Sequence, residues 1–252
     1  MSEGIRLNRF IADSGLCSRR QADKLIESAQ VEVNGITACL GQRIDPHKDR
    51  VHVNGKLITP RDPKDYVYIA LNKPRGITCT TDLRRRDNII SFINYPERIF
   101  PIGRLDRDSQ GLILLTNDGS IVNPILRAGN MHEKEYLVTV DKPFDDEFLK
   151  SMESGVWILG QRTLEANCKP VSSTTFRIII RQGLNRQIRR MCEALGYEVT
   201  RLTRLRIMHI TLGSLKEGTW RYLGHNEMRD LFTLLKRSSN NDNETDLEMG
   251  DD

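Results

Sequence analysis

The apolar positions of this chain change character near residue 66. Before that point, Leu7, Phe10 and Ile11 recur at helical spacing, and Gly15 stands where such a helix would stop. Ser18, with Gln21 three residues on, predicts a capping box opening a second helix. Ala22, Leu25, Ile26 and Ala29 form its expected buried face, and Arg19, Arg20 and Lys24 fall on the other side. Val31-Glu32-Val33-Asn34-Gly35 and Val51-His52-Val53-Asn54-Gly55 are two short alternating strands, each ending in the dipeptide that favours a tight hairpin. The pattern predicts a small module over residues 5–58. The proline-rich, charged stretch 59–65 predicts a linker.

From residue 66 to 237 the pattern predicts strands at 66–72, 98–102, 111–116, 134–140, 156–167, 174–181 and 197–214. Helices are expected at 118–128, 145–154, 185–195 and 226–237. Strands outnumber helices and do not alternate with them, which predicts an α+β domain on a mixed, mostly antiparallel sheet with flanking helices. Residues 238–252 are polar and acidic and are expected to be disordered.

Charge sharpens this picture. The net charge of the 252 residues is +4, but the segment from Ser238 carries six acids and no base, leaving +10 on the rest. A basic body attracts polyanions, because phosphate contacts release counterions. No apolar run is long enough to span a membrane, and the start of the chain lacks the pattern of a signal peptide. Five scattered cysteines without CxxC spacing argue for a reducing cytoplasm rather than a disulfide framework or a zinc site.

Three segments could carry chemistry. The loop Gly103-Arg104-Leu105-Asp106-Arg107-Asp108-Ser109-Gln110-Gly111 joins two apolar strands and holds two carboxylates among arginines. Asp106 and Asp108 share a face on an extended stretch, so spacing alone does not separate their roles. Second, Gln182 to Cys192 takes a strand into a helix whose first turns carry Asn185, Arg186, Gln187, Arg189 and Arg190. Helix N-termini favour anions, and arginine suits bidentate contacts to phosphate or carboxylate. Third, Tyr136 lies on an alternating strand, where a tyrosine is either core or a stacking platform for an extruded base. Cys192 sits on a packed helix face and looks inert. No Walker loop, no GxGxxG after a strand and no metal-ligand grouping of the five histidines is present, so neither cofactor nor metal is expected.

Two resemblances follow from these residues. The order Leu7-Asn8-Arg9-Phe10-Ile11, Ser18-Arg19-Arg20-Gln21-Ala22 and Val33-Asn34-Gly35 resembles the αL RNA-binding domain first known in a small-subunit ribosomal protein. Gly103-Arg104-Leu105-Asp106 followed by Gly111 to Gly119, with Asn72-Lys73-Pro74-Arg75-Gly76, Lys134-Glu135-Tyr136 and Arg186 to Met191, resembles the ribosomal pseudouridine synthases of the RsuA/RluB/RluE/RluF type. Ser109-Gln110, Ile125 to Asn130 and His132 to Tyr136 are most similar to the RluF branch.

The second resemblance implies a bacterial, cofactor-free isomerase with the pseudouridine synthase fold, acting on a 23S rRNA stem-loop and possibly on tRNA as well; nothing in the sequence suggests an obligate dimer, so a monomer is expected. It implies that Asp106 is the catalytic aspartate, Arg189 its ion-pair partner, Tyr136 the stacking tyrosine and Arg104 the side chain that extrudes the target uridine. Arg6, Arg9, Ser18, Arg19, Arg20, Lys24, Arg107, Asn185, Arg186, Gln187 and Arg190 are the expected RNA contacts. An RNA-binding assembly factor and a nucleoside glycosidase are the rival readings.

Overall fold

The computed structural model describes residues 4–248; for Ala128 and residues 237–248 it describes the backbone alone. Two compact units are present. One runs up to Val67 and takes in Asn117–Gly119, and the other holds the remainder.

The first unit contains β1 (Ile5–Arg6), α1 (Leu7–Asp13), α2 (Arg19–Glu27), β2 (Val31–Val33), β3 (Ile36–Thr37), β4 (Arg43–Ile44), β5 (Val51–Val53) and β6 (Lys56–Ile58). Gly15 takes φ +89° just past α1, a conformation that any residue with a Cβ resists. The capping box forms: Ser18 Oγ accepts from Gln21 N at 3.2 Å, and Gln21 Oε1 accepts from Ser18 N at 2.9 Å. Ser18→Ala is therefore expected to cost about 1 kcal/mol, read as a lower urea midpoint for this unit. Both Asn-Gly pairs turn with positive φ at each residue, as a tight primed hairpin turn requires. They build a sheet in the order β3-β2-β5-β6, packed with Leu7, Phe10, Ile11, Ala22 and Ile26.

Two details differ from expectation. Ala29 lies past the end of α2 at φ +56° and is exposed, because the helix stops at Glu27. Residues 59–65 fold with the first unit rather than hanging as a linker. They hold a short 3-10 turn, Pro63–Asp65, capped by Asp62, and Asn117 donates to Asp65 O at 3.0 Å.

The second unit contains β7 (Tyr68–Lys73), α3 (Ile89–Ile93), β8 (Phe100–Ile102), β9 (Gln110–Thr116), α4 (Val122–Leu126), β10 (Lys134–Val140), α5 (Asp146–Ser154), β11 (Trp157–Ile158), β12 (Gln161–Arg162), β13 (Asn167–Pro170), β14 (Thr175–Ile180), α6 (Gln187–Ala194), β15 (Val199–Ile207), β16 (Ile210–Thr211), β17 (Trp220–Tyr222) and α7 (His225–Glu248). Its main sheet runs β13-β14-β10-β15-β9-β7-β17, with β16 on β15 and β8 on β9. Only the β15–β9 pairing among these is parallel. All seven residues of β9 are buried, which is why its middle, Leu112 to Leu115, reads as an unbroken apolar run. In β10, Tyr136, Val138 and Val140 are buried while Glu135, Leu137 and Thr139 are only partly so.

The strand expected over 156–167 is split, because Leu159 and Gly160 both take positive φ and turn β11 back on β12. The expected helix over 118–128 shrinks to α4, since residues up to Gly119 belong to the first unit. The backbone of α7 continues as far as Glu248, into the segment expected to be disordered. Extending an existing helix needs no new nucleus, so a polar composition alone does not end it. Residues 249–252 lie outside the described residues.

Candidate active site

The acidic loop is a turn between β8 and β9. Gly103 leaves β8 at φ +75°, and Ser109 N donates to Asp106 O at 3.1 Å, closing a tight turn around the two carboxylates. A second loop braces it. Gly76 N donates to Arg107 O at 2.7 Å, while Arg107 Nε donates to Gly76 O at 3.2 Å and to Asp87 Oδ2 at 3.0 Å. The Asp106 side chain is 31% exposed, open to a reactant while held at its base.

The cations come from α6. Arg186 occupies a left-handed position, φ +51°, immediately before the helix. From there its Nη1 lies 3.4 Å from Asp106 Oδ2 and 3.3 Å from Asp108 Oδ1. Arg189 points inward with only 11% of its side chain exposed. Its Nη1 donates to Val199 O at 2.9 Å, and its Nη2 donates to Asp108 O at 3.2 Å and lies 3.4 Å from Asp108 Oδ2. The expected Asp106–Arg189 pair is thus corrected: Arg186 pairs with Asp106, and Arg189 holds the next carboxylate. The anchor on Val199 of β15 fixes where the Arg189 fork can land. Burial pushes the Asp108 carboxyl up, but the hydrogen bond from Arg186 and the charge of Arg189 outweigh it and hold it below its ordinary value. Burial also lowers the pKa of Arg189, and Asp108 opposes that shift.

A row of side chains crosses the sheet beside this loop. Strand register aligns Lys73 of β7, Gly111 of β9, Arg204 of β15, Tyr136 of β10 and Ile178 of β14. Paired positions in a sheet share a face. Tyr136 is 7% exposed, Arg204 4%, and Lys73 is fully buried. Lys73 Nζ donates to Pro74 O and Ile77 O, both at 2.8 Å, and its burial lowers its pKa, with Cys79, Asp108 and Asp106 opposing that shift. Arg204 Nε donates to Leu112 O at 2.6 Å and Nη1 to Arg104 O at 3.5 Å. Sequence reasoning gave neither Lys73 nor Arg204 a role, and it did not single out Asp87.

The remaining predicted residues divide. Arg104 is exposed and makes no side-chain hydrogen bond or ion pair among the described residues, so it is available to a ligand. Arg107 is committed to Asp87, although its side chain is 65% exposed. Arg190 bonds Asn185 through its backbone and amide oxygens, at 3.1 and 3.4 Å. Gln187 is corrected: it is buried, its Oε1 accepts from Leu184 N at 3.1 Å, and it closes the start of α6 from within instead of facing a ligand. Cys192 is buried, and burial pushes its thiol up to about 12, as an inert core cysteine requires. In the first unit Arg6, Arg19, Arg20 and Lys24 are exposed, Arg9 pairs with Asp13 at 3.3 Å, and the Ser18 hydroxyl is engaged in its cap rather than free for RNA.

The acidic turn gripped by arginines thus lies on a mixed sheet, in a chain that also carries a separate helix–hairpin module. The chain belongs to the RNA pseudouridylate synthase family, whose profile matches residues 67–194, and the S4 domain matches residues 5–49. It is 56% identical over 235 residues to the dual-specificity RNA pseudouridine synthase RluF of Escherichia coli K12, covering 93% of this chain and 81% of that one. It is 36% identical over 244 residues to the ribosomal large subunit pseudouridine synthase B of Bacillus subtilis, covering 93% and 98%. A crystal structure of a pseudouridylate synthase superimposes with a TM-score of 0.66 at 32% identity, covering 90% of this chain and 99% of that one. No helix among the described residues is long and apolar enough to cross a membrane.

Proposed function

We propose that this chain converts a specific uridine of large-subunit (23S) rRNA into pseudouridine in the cytoplasm, acting as a monomer, and that tRNA is a second substrate. The observation that carries the reading is Asp106, presented on a braced turn with the Arg186 guanidinium 3.4 Å away. The names of the relatives support the choice of RNA: one is called a large-subunit enzyme, and RluF is called dual-specificity.

In this reading Asp106 either bonds C1′ as the N1–C1′ bond breaks or takes the C2′ proton. The freed uracil turns, C5 joins C1′, the C5 hydrogen leaves as a proton and N1 gains one. Atoms and electrons balance without a co-reactant. Tyr136 supplies the stacking surface that offsets extrusion of the base, and Arg104 fills the place it vacates. Arg186 and Arg189 fix the carboxylate turn, while Arg6, Arg19, Arg20 and Lys24 meet phosphates.

The test is tritium release from rRNA containing [5-³H]uridine, since C5 loses its hydrogen only if the base is re-attached there. Free uracil instead would identify a glycosidase, and tight binding without release would identify an assembly factor. Arg19→Glu with Arg20→Glu is expected to weaken RNA binding and reduce its log–log salt slope by about 1 per lost phosphate contact. An unchanged slope in a salt titration would show that this helix face meets only water.

A further inference from the structure

We propose that Arg204 is a catalytic residue whose Nη2 donates to a carbonyl oxygen of the target uracil and stabilises the ring as it leaves C1′ as an anion. This rests on the pseudouridine reading above and adds a group that reading does not contain.

Arg204 is 4% exposed and makes two hydrogen bonds, both to backbone oxygens. Its Nη2 is buried and has no partner. A buried N–H without an acceptor is costly, and one that carries charge is costlier. Nor does a carboxylate compensate the guanidinium: among the described residues Arg204 makes no ion pair. The other buried cation of the row, Lys73, deepens the imbalance. It sits across Gly111 from Arg204, bonded to two neutral carbonyls. Asp106 and Asp108 act on Lys73 through space, but no acceptor meets Nη2 of Arg204.

Its position says which acceptor fits. Arg204 is the cross-strand neighbour of Tyr136 on the same sheet face. Through Nη1 it also bonds the backbone oxygen of Arg104, two residues before Asp106. A pyrimidine stacked on Tyr136 and joined to a ribose at Asp106 brings its ring oxygens to this guanidinium. Nη2 is closed to solvent in the free protein, so the base reaches it as the side chains that cover it move aside on binding.

The chemistry matches. When the N1–C1′ bond breaks, its electron pair stays on the uracil and spreads over N1, O2 and O4. C1′ is then bonded to Asp106, or C2′ gives up its proton. A fixed donor at a ring oxygen binds this anion more strongly than the neutral ring, so it speeds the step rather than tightening RNA binding.

A merely structural Arg204 would prop the backbone at Arg104 and Leu112 and do nothing else. Single-turnover rates separate the two roles when the target is uridine or 5-fluorouridine, whose fluorine stabilises the departing anion by itself. Arg204→Lys is expected to lose about 100- to 1000-fold with uridine, followed by tritium release. With 5-fluorouridine, followed as disappearance of the N-glycoside after digestion, the loss should stay below about 10-fold. RNA affinity should remain near wild type, while the melting temperature falls by a few degrees through the lost bonds to Leu112 and Arg104, a cost that bears on both substrates alike. Equal losses on the two substrates, or a loss confined to RNA affinity, overturn the proposal. Arg204→Gln carries the same comparison should the lysine variant not fold. A wild-type protein that releases no tritium refutes the pseudouridine reading itself, and this proposal with it.

Discussion

Asp106→Asn is expected to lower tritium release from [5-³H]uridine-labelled rRNA by at least about 10⁴-fold, while RNA affinity stays within about 3-fold of wild type. The amide keeps the shape of the side chain but can neither bond C1′ nor accept a proton. The surroundings should tolerate the change, because Arg186 retains Asp108 at 3.3 Å and the loop retains its backbone bonds to Gly76. Asp108→Asn is the control. Its carboxylate is engaged by both Arg186 and Arg189, so its role is to hold the turn in place. A loss of about 10- to 100-fold is expected there, through misplacement of Asp106. If Asp108→Asn abolished release while Asp106→Asn kept it, the two carboxylates would have exchanged roles.

Legibility in the sequence follows the strength of local rules. β10 is read at 134–140 and found at Lys134–Val140, because its alternation is unbroken and its partners lie on both sides. The capping box at Ser18 and the two Asn-Gly turns are equally local and equally plain. β17 escapes the reading, since its three residues lie at the sheet edge and none is buried. The site divides in the same way. The turn carrying Asp106 is marked by its glycines and by the Gly-Arg-Leu-Asp spelling. Which arginine of α6 reaches it is not marked, because that depends on the left-handed backbone at Arg186 and on the Val199 anchor of Arg189. Arg204 is hidden more deeply. Strict alternation would put Arg204 and Arg206 on one face. A bulge shifts the register between Glu135 and Tyr136, so Arg206 pairs with Glu135 and Glu133 at 3.1 and 3.0 Å while Arg204 turns into the buried row.

Gly111→Ala is expected to destabilise the second unit by about 2–4 kcal/mol, lowering its melting temperature by roughly 5–15 °C in a thermal scan. Two independent costs meet at this residue. Its φ of +102° is a conformation that L side chains rarely adopt. A Cβ there would also stand 2.6 Å from Arg204 N and closer still to Arg204 O. Neither strand can give way cheaply, because β9 is parallel-paired to β15 at this residue and antiparallel-paired to β7 through Lys73. Forcing β15 away would also drag Arg204 from Leu112 and Arg104, so the folded fraction of the variant should release tritium more slowly as well as melt earlier. Gly183→Ala supplies the contrast, since a Cβ there meets nothing within 4 Å and the backbone is not left-handed; a change within about 0.5 kcal/mol is expected. If Gly111→Ala melted within a degree of Gly183→Ala, β9 and β15 would be able to part by the width of a methyl group. The row of Lys73, Arg204 and Tyr136 would then be a loose array rather than a rigid floor, too compliant to hold a guanidinium against a departing base.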